Sequence, residues 1–139
     1  LRPCQKQLAQ GIFSLASRPI TEFSLSPEVF HSIAEGTDRE KIIAQARQFE
    51  QAVLPVHAAD DPSQWIGYLN VPELYVEETT QPIRIHPLVE IAHRATHLSS
   101  LMKLQRADEV LGRIVGQHDE TLGFITPELL CDPLFQVET

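Results

Sequence analysis

The chain has 139 residues, of which 42% are apolar and 22% are charged, as in an ordinary soluble globular protein. Its formal net charge of −8 disfavours nucleic acid as a partner, because an acidic surface repels the phosphate backbone. No run of about 18 apolar residues is present, so no segment is predicted to span a bilayer. A small anion such as a nucleotide is still admitted, since backbone amides and helix N-termini bind one locally.

The first half of the chain predicts a helix followed by an alternation of strands and helices. Residues 5–17 place apolar side chains at helical spacing, and this helix ends at Arg18-Pro19. A loop at 24–27 and a short strand at 29–33 follow. Residues 37–40 (Thr-Asp-Arg-Glu) form a capping-box pattern that predicts a helix start. The remaining elements are the rest of that helix to Phe49, strands at 53–56 and 65–69 with a turn at 59–64, and a short helix at 71–75.

The second half repeats this order. Its elements are a strand at 87–91, a helix with Thr96 as its N-cap, strands at 113–115 and 122–125 with a turn at 117–121, and a short helix at 126–130. A glycine, apolar residues, and then a proline and a glutamate recur at Gly67 and Gly123. Such self-similarity indicates a duplicated unit. The sequence therefore predicts an α+β fold made of two βαββα units.

A repeated βαββα unit that ends on Gly-apolar-apolar-Thr/Ser-x-x-Asp resembles the cystathionine-β-synthase (CBS) domain. More narrowly, the chain resembles the cytosolic CBS pair of hemolysin-like, CorC-type magnesium/cobalt-efflux membrane proteins. Residues 19–27 are similar to the segment that opens the family's first unit. Residues 96–115 follow its second unit, and residues 123–128 are similar to its closing motif. The similarity extends over essentially the whole chain.

This resemblance implies a Bateman module, in which two CBS repeats are related by pseudo-twofold symmetry. An N-terminal helix and linker at 1–19 would precede a first CBS domain at 20–78 and a second at 79–139. The resemblance also implies a homodimer, no enzymatic activity, and a cytoplasmic location as the soluble segment of an inner-membrane protein. The implied function is to bind a nucleotide and control the attached membrane transport domain.

Family membership would further imply an adenine nucleotide (AMP, ADP or ATP, often with Mg²⁺) bound in clefts between the two CBS units. A motif hydroxyl near a helix N-terminus suits phosphate, and the motif acid accepts hydrogen bonds from ribose hydroxyls. The preferred site comprises Gly67, Asn70 and Glu73, with Pro55 and Val56. The candidates for the alternative cleft are Ser24, Ser26, Gly123 and Thr126.

The chain departs from the family pattern at several motif positions. Asn70 stands for Thr/Ser and Glu73 for Asp, and Leu129 occupies the acid position of the second motif, where it cannot accept a hydroxyl. Thr126 is also a natural helix N-cap, and the two motif glycines also suit close backbone packing. A second hypothesis therefore stays open, in which the chain is a ligand-free module that dimerises its parent protein.

Neither metal-ligand nor catalytic spacing stands out. His93 and His97 are four residues apart but lack a third ligand, and we expect them to be exposed or cap histidines. Asp60-Asp61 and Glu77-Glu78 lie in polar segments where solvated charges are the default, so a metal-dependent hydrolase is disfavoured. The two cysteines, Cys4 and Cys131, lie at opposite ends without C-x-x-C spacing, and we expect them to be reduced.

Overall fold

The computed structural model describes residues 16–76 and 82–131. These residues form an α+β protein with two three-stranded sheets, which confirms the predicted fold class. They divide into two compact units. The first unit comprises residues 28–76 and 82–88, and the second comprises residues 16–27 and 89–131.

The first unit follows the order strand, helix, strand, strand, helix. Its elements are β1 (Ile33–Ala34), α1 (Arg39–Phe49), β2 (Val53–Ala58), β3 (Asp61–Asn70) and α2 (Val71–Val76). Strand β2 is central, parallel to β1 and antiparallel to β3.

Alternation along the strands gives this sheet one face that packs against the helices. Leu54 and Val56 lie two apart on β2, and Leu69 pairs with Leu54 across the sheet. These side chains are buried with residues of both helices, among them Ile42 and Leu74. Burial of each such aliphatic side chain contributes about 1.5–3 kcal/mol, so this shared core holds the helices on the sheet.

The second unit repeats the order of the first and adds a 3-10 helix in front. Its elements are η1 (Ile20–Phe23), β4 (Val89–Ala92), α3 (His97–Ala107), β5 (Gly112–Val115), β6 (Thr121–Ile125) and α4 (Pro127–Leu130). Strand β5 is central, parallel to β4 and antiparallel to β6. The duplication predicted from the sequence is thus present in the order and pairing of the strands.

The segment 20–27, which the resemblance assigns to the first CBS domain, packs in the second unit. Ile20 and Phe23 are fully buried there, in one cluster with core residues such as Leu101 and Ile114. Residues 82–88 lie in the first unit. The boundaries of the compact units therefore do not coincide with the domain boundaries at 20, 78 and 79 that the resemblance implies.

Two predicted local elements differ from the structure. The strand predicted at 29–33 is shorter, because β1 begins at Ile33 opposite Val56, whereas Val29 is exposed and has no place in the ladder. The turn predicted at 59–64 is also shorter. Strand β3 already begins at Asp61, which pairs with Ala58 across a bulged register.

Of the two predicted helix starts, the one at 37–40 is wrong and the one at Thr96 is confirmed. At the start of α1 the N-cap is Asp38, without a side-chain cap bond, and the Thr37 hydroxyl instead donates to the Ala34 carbonyl oxygen at 2.7 Å. The predicted capping box at 37–40 is therefore wrong. Thr96 does cap α3, and Ser99 completes a capping box with it.

The helix predicted at 5–17 lies almost wholly outside the described residues. In the part of the chain that is described, no helix is long and apolar enough to cross a membrane.

Candidate functional site

Gly67 permits a third segment of the first unit to lie against the outer edge of β3. Tyr68 donates to the His86 carbonyl oxygen at 2.9 Å, and the His86 amide donates back to the Tyr68 carbonyl oxygen at 2.8 Å. A Cβ atom on Gly67 would collide with the His86 carbonyl oxygen and with the Ile85 side chain. The glycine is therefore required by close approach of the backbone, as its alternative interpretation held.

The second unit contains the same arrangement. Leu25 and Phe124 exchange backbone hydrogen bonds of 3.0 and 2.8 Å at the outer edge of β6. A Cβ atom on Gly123 would lie 2.8 Å from the Ser24 hydroxyl oxygen and 2.9 Å from the Leu25 carbonyl oxygen. Two predicted site residues, Ser24 and Gly123, are thus brought together, whereas Ser26 is exposed. Gly67 and Gly123 occupy equivalent positions, since they pair with Val56 and Ile114 in equivalent registers.

Glu73, the predicted acid of the first motif, lies in the first turn of α2, three residues after Asn70 ends β3. Both of its carboxylate oxygens lie 3.0 Å from Nε2 of His86. The His86 ring stacks on the Tyr68 ring, with centroids 5.1 Å apart and an interplanar angle of 22°. The Glu73 side chain is 30% exposed and that of His86 only 12%. The carboxylate is therefore oriented by an aromatic partner while it still reaches solvent.

In the second unit, one equivalent motif position holds an apolar residue and the other a helix cap. Leu129 stands where the first unit has Glu73, and its side chain has no hydrogen-bonding atom. The Thr126 hydroxyl accepts a 3.2 Å hydrogen bond from the Leu129 amide and so caps α4. The capping interpretation of Thr126 is thereby confirmed, and of the two motifs it is the first that presents a carboxylate.

Pro55 and Val56 are neighbours on β2 and face opposite sides of the sheet. Val56 lines a cavity of about 240 Å³ on the helix side, together with side chains such as Ile33, Leu69 and Ile85. Pro55 pairs with Tyr68. The residues predicted for the first-unit site therefore do not converge on this cavity. It is also smaller than the roughly 300 Å³ at which ligand pockets usually begin.

The histidines predicted to be exposed or cap residues have structural partners. His93 is half-buried, and its Nδ1 lies 3.2 Å from the Val115 carbonyl oxygen. His97 is fully buried, with Nε2 2.8 Å from the Leu130 carbonyl oxygen. The expected exposure of His97 is wrong, because Phe23 packs against the edge of its ring. No group of three possible metal ligands occurs among residues 16–76 and 82–131.

Asp61, from one of the acidic pairs, is exposed as predicted, whereas Cys131 differs from its prediction. Asp61 is exposed, and hydrogen bonds from the Ser63 hydroxyl and amide lower the pKa of its carboxyl. Glu77-Glu78 lie outside the described residues. Cys131 is disulfide-bonded, so the expectation of reduced cysteines is wrong at this position.

Sequence reasoning missed His86 as a site residue, although it identified its partner Glu73. The alternation of Ile83, Arg84, Ile85 and His86 is typical of a segment added to a sheet edge. The sequence does not indicate which strand this segment joins.

Comparison with solved structures places this fold among CBS-domain pairs. The CBS domain of a bacterial CNNM/CorC family Mg²⁺ transporter superposes with a TM-score of 0.80 at 17% identity, over 97% of this chain and 86% of the other. The same kind of domain in complex with ATP gives a TM-score of 0.77 at 18% identity, over 92% and 94%. A CBS-domain pair with bound AMP from Klebsiella pneumoniae gives 0.69 at 17% identity, over 85% and 98%. No protein-family model and no curated protein matches the sequence.

Proposed function

We propose that this chain, which has the fold of a CBS-domain pair, is a regulatory module that binds an adenine nucleotide and controls an attached membrane transport domain. The observation that carries the proposal is the Glu73 carboxylate. It lies at the first turn of α2, just after the strand that contains Gly67, and it is held in place while partly exposed. This is the chemistry that ribose hydroxyls require, since an ionised carboxylate accepts hydrogen bonds without donating any.

The solved structures of the same fold support an adenine nucleotide as the ligand, since one contains ATP and another AMP. We propose a nucleotide site at the end of β3, in which Glu73 is the ribose contact and Gly67, Asn70, Pro55 and Val56 are the neighbouring residues; because Pro55 and Val56 face opposite sides of the sheet, only one of these two side chains can contact the ligand. Ser24, Ser26, Gly123 and Thr126 are the candidates for a second one. Mg²⁺ would accompany ATP or ADP, because the chain itself is strongly acidic and must accept a polyanion.

Regulation would follow from differential affinity. If the nucleotide binds one conformation of the module more tightly than another, its binding shifts the equilibrium between them, and an attached domain can respond. We further propose a homodimer at the cytoplasmic side of the membrane, in which such a shift passes to the transport domain.

A second function is favoured by one observation. Leu129 removes the acid from one motif, and His86 already contacts the acid of the other. A module that only assembles its parent protein would need neither carboxylate. It would remain a stable dimer and would bind no nucleotide.

Calorimetric titration with AMP, ADP and ATP, each with and without Mg²⁺, distinguishes the two functions. We expect saturable binding of at least one nucleotide, weakened about fivefold or more in Glu73→Ala, because hydrogen bonds to a charged acceptor are lost. Glu128→Ala is the matched control. It removes an exposed carboxylate beside the second motif and should leave the affinity unchanged.

Absence of binding heat in the wild type and in a His86→Phe variant, which frees the Glu73 carboxylate from its partner, together with a stable dimer, would establish the assembly function instead. Equal loss of affinity in Glu73→Ala and Glu128→Ala would contradict the proposed site, because removal of either negative charge from an acidic chain should by itself favour an anion.

A further inference from the structure

We propose that His86 competes with the ligand's ribose for the Glu73 carboxylate, so that a nucleotide must displace the His86 ring to bind fully. This inference rests on the proposed function, and it assigns His86 as the residue that sets the affinity of that site and its preference for a ribose diol.

The geometry of the His86–Glu73 pair carries the argument. The His86 Nε2 atom lies 3.0 Å from each of the two carboxylate oxygens of Glu73. A donor that bonds equally to both oxygens lies near the bisector of the carboxylate, between its two inner lone pairs, which run nearly parallel. A 2′,3′-diol that donates one hydrogen bond to each oxygen approaches from the same side. The imidazole and the diol therefore exclude each other.

The His86 ring is held in this position by contacts that do not involve Glu73. Its backbone forms two hydrogen bonds with Tyr68, of 2.9 and 2.8 Å, and its ring stacks on the Tyr68 ring. Tyr68 is itself 2% exposed and thus fixed in the core. A nucleotide that displaces the ring must break this stacking, so the His86–Glu73 pair lowers the affinity even though the carboxylate reaches solvent.

Comparison of the duplicated units supports a specific role. At the position equivalent to His86 the second unit has Leu25, which makes the same pair of backbone hydrogen bonds to Phe124. At the position equivalent to Glu73 it has Leu129. The fold of the unit therefore does not require a histidine here. The imidazole occurs in the unit that retains the acid.

The test combines ATP and 2′,3′-dideoxy-ATP, with Mg²⁺, in titrations of the wild type, His86→Phe, Glu73→Ala and the double variant. Phe retains an aromatic ring to stack on Tyr68 but removes Nε2. We expect His86→Phe to bind ATP about tenfold more tightly and dideoxy-ATP almost unchanged, because displacement of the ring then breaks only its stacking on Tyr68 and no longer its hydrogen bonds to the Glu73 carboxylate. In the double variant the ratio of the two affinities should fall to about one.

His31→Phe is the control, since His31 also stacks on an aromatic ring, that of Phe49, in the same unit. It should change neither affinity. If Glu73→Ala weakens ATP but His86→Phe alters neither the ATP affinity nor the ratio, the competition is overturned and the proposed function stands. If neither the wild type nor His86→Phe binds any nucleotide, both proposals are overturned. A gain of affinity for dideoxy-ATP equal to that for ATP would also overturn the competition, because relief of a merely structural clash does not select for the diol.

Discussion

At the scale of single residues, polar and apolar side chains at equivalent positions give the two units different chemistry. Glu73 and His86 in the first unit correspond to Leu129 and Leu25 in the second, while the glycine of each motif is kept. The glycines follow from backbone geometry that both units share. The polar pair does not, so it is the part of the repeat that is free to serve a ligand.

The buried His97 gives a testable link between its protonation and the stability of the fold. Its Nε2 hydrogen bonds to the Leu130 carbonyl oxygen, and its Nδ1 has no partner among the described residues. Burial lowers the pKa of its imidazole; the Leu130 hydrogen bond opposes this shift, and the Arg18 charge adds to it. The neutral form is thus the one that the fold accepts.

A depressed histidine pKa means that the unfolded chain binds the proton first as the pH falls. The free energy of unfolding should therefore decrease as the pH drops below about 6.5, the ordinary value, and level off below the folded-state pKa. In urea titrations at pH 7.5 and 5.5, His97→Phe should show a smaller decrease than the wild type.

That variant should also lose about 1 kcal/mol at pH 7.5, because the Leu130 carbonyl loses its donor. His118→Gln, at an exposed site, should behave like the wild type at both values. Equal pH dependence in wild type and His97→Phe would contradict the assignment.

At the scale of elements, the two long helices begin in different ways. The α3 start has a complete capping box, with the Thr96 hydroxyl accepting from the Ser99 amide at 3.2 Å and the Ser99 hydroxyl accepting from the Thr96 amide at 3.1 Å. The α1 start has Asp38 as its N-cap without a side-chain bond. Similar capping patterns in the sequence thus have unequal outcomes, because the Thr37 hydroxyl bonds to Ala34 at the end of β1 instead.

Substitution of the two cap residues should reflect this difference. Thr96→Ala should lower the free energy of unfolding by about 1 kcal/mol, since it leaves an amide of the first turn without a partner. Asp38→Ala should cost clearly less, because the carboxylate contributes only through its charge near the helix N-terminus. Chemical denaturation of both variants is the measurement, and an equal loss would show that the cap bond itself contributes little.

At the scale of the whole molecule, charge is the dominant property. A net charge of −8 repels a nucleotide polyanion at long range, and salt screens that repulsion over about 8–10 Å at physiological ionic strength. The electrostatics of the chain thus oppose the nucleotide proposed as its ligand, so the proposed binding would depend on local contacts and on Mg²⁺.

The affinity for ATP should therefore rise as the salt concentration increases from about 10 to 150 mM, whereas a cationic site would show the reverse. AMP should respond less and adenosine, which is uncharged, should not respond. Titrations of the three ligands at each concentration test this, and a fall of the ATP affinity with salt would point to a local cluster of positive charge instead.

Much of the fold could be predicted from the sequence, because the patterns that specify its elements involve residues close together in the chain. The hydrophobic period, the Thr96 cap and the motif around each of Gly67 and Gly123 depend on neighbouring residues. These patterns predicted the α+β class, the element order and the duplication. The prediction of a strand at 29–33 was largely wrong, because strand formation depends on contacts with residues distant in the sequence. Residues 29–33 have strand propensity, but the His31 amide and carbonyl bond to the Gln51 side chain instead of to β2, and pairing with β2 begins only at Ile33.

The sequence by itself determined that the chain is a duplicated βαββα protein. It also determined that Glu73 occupies the acid position of the first motif and that Leu129 occupies the acid position of the second. Only the tertiary structure decided that His86 meets Glu73 and that Ser24 and Leu25 lie against Gly123. These contacts join segments far apart in the chain. The course of the backbone between them, set by packing of the whole unit and not by any local pattern, brings them together.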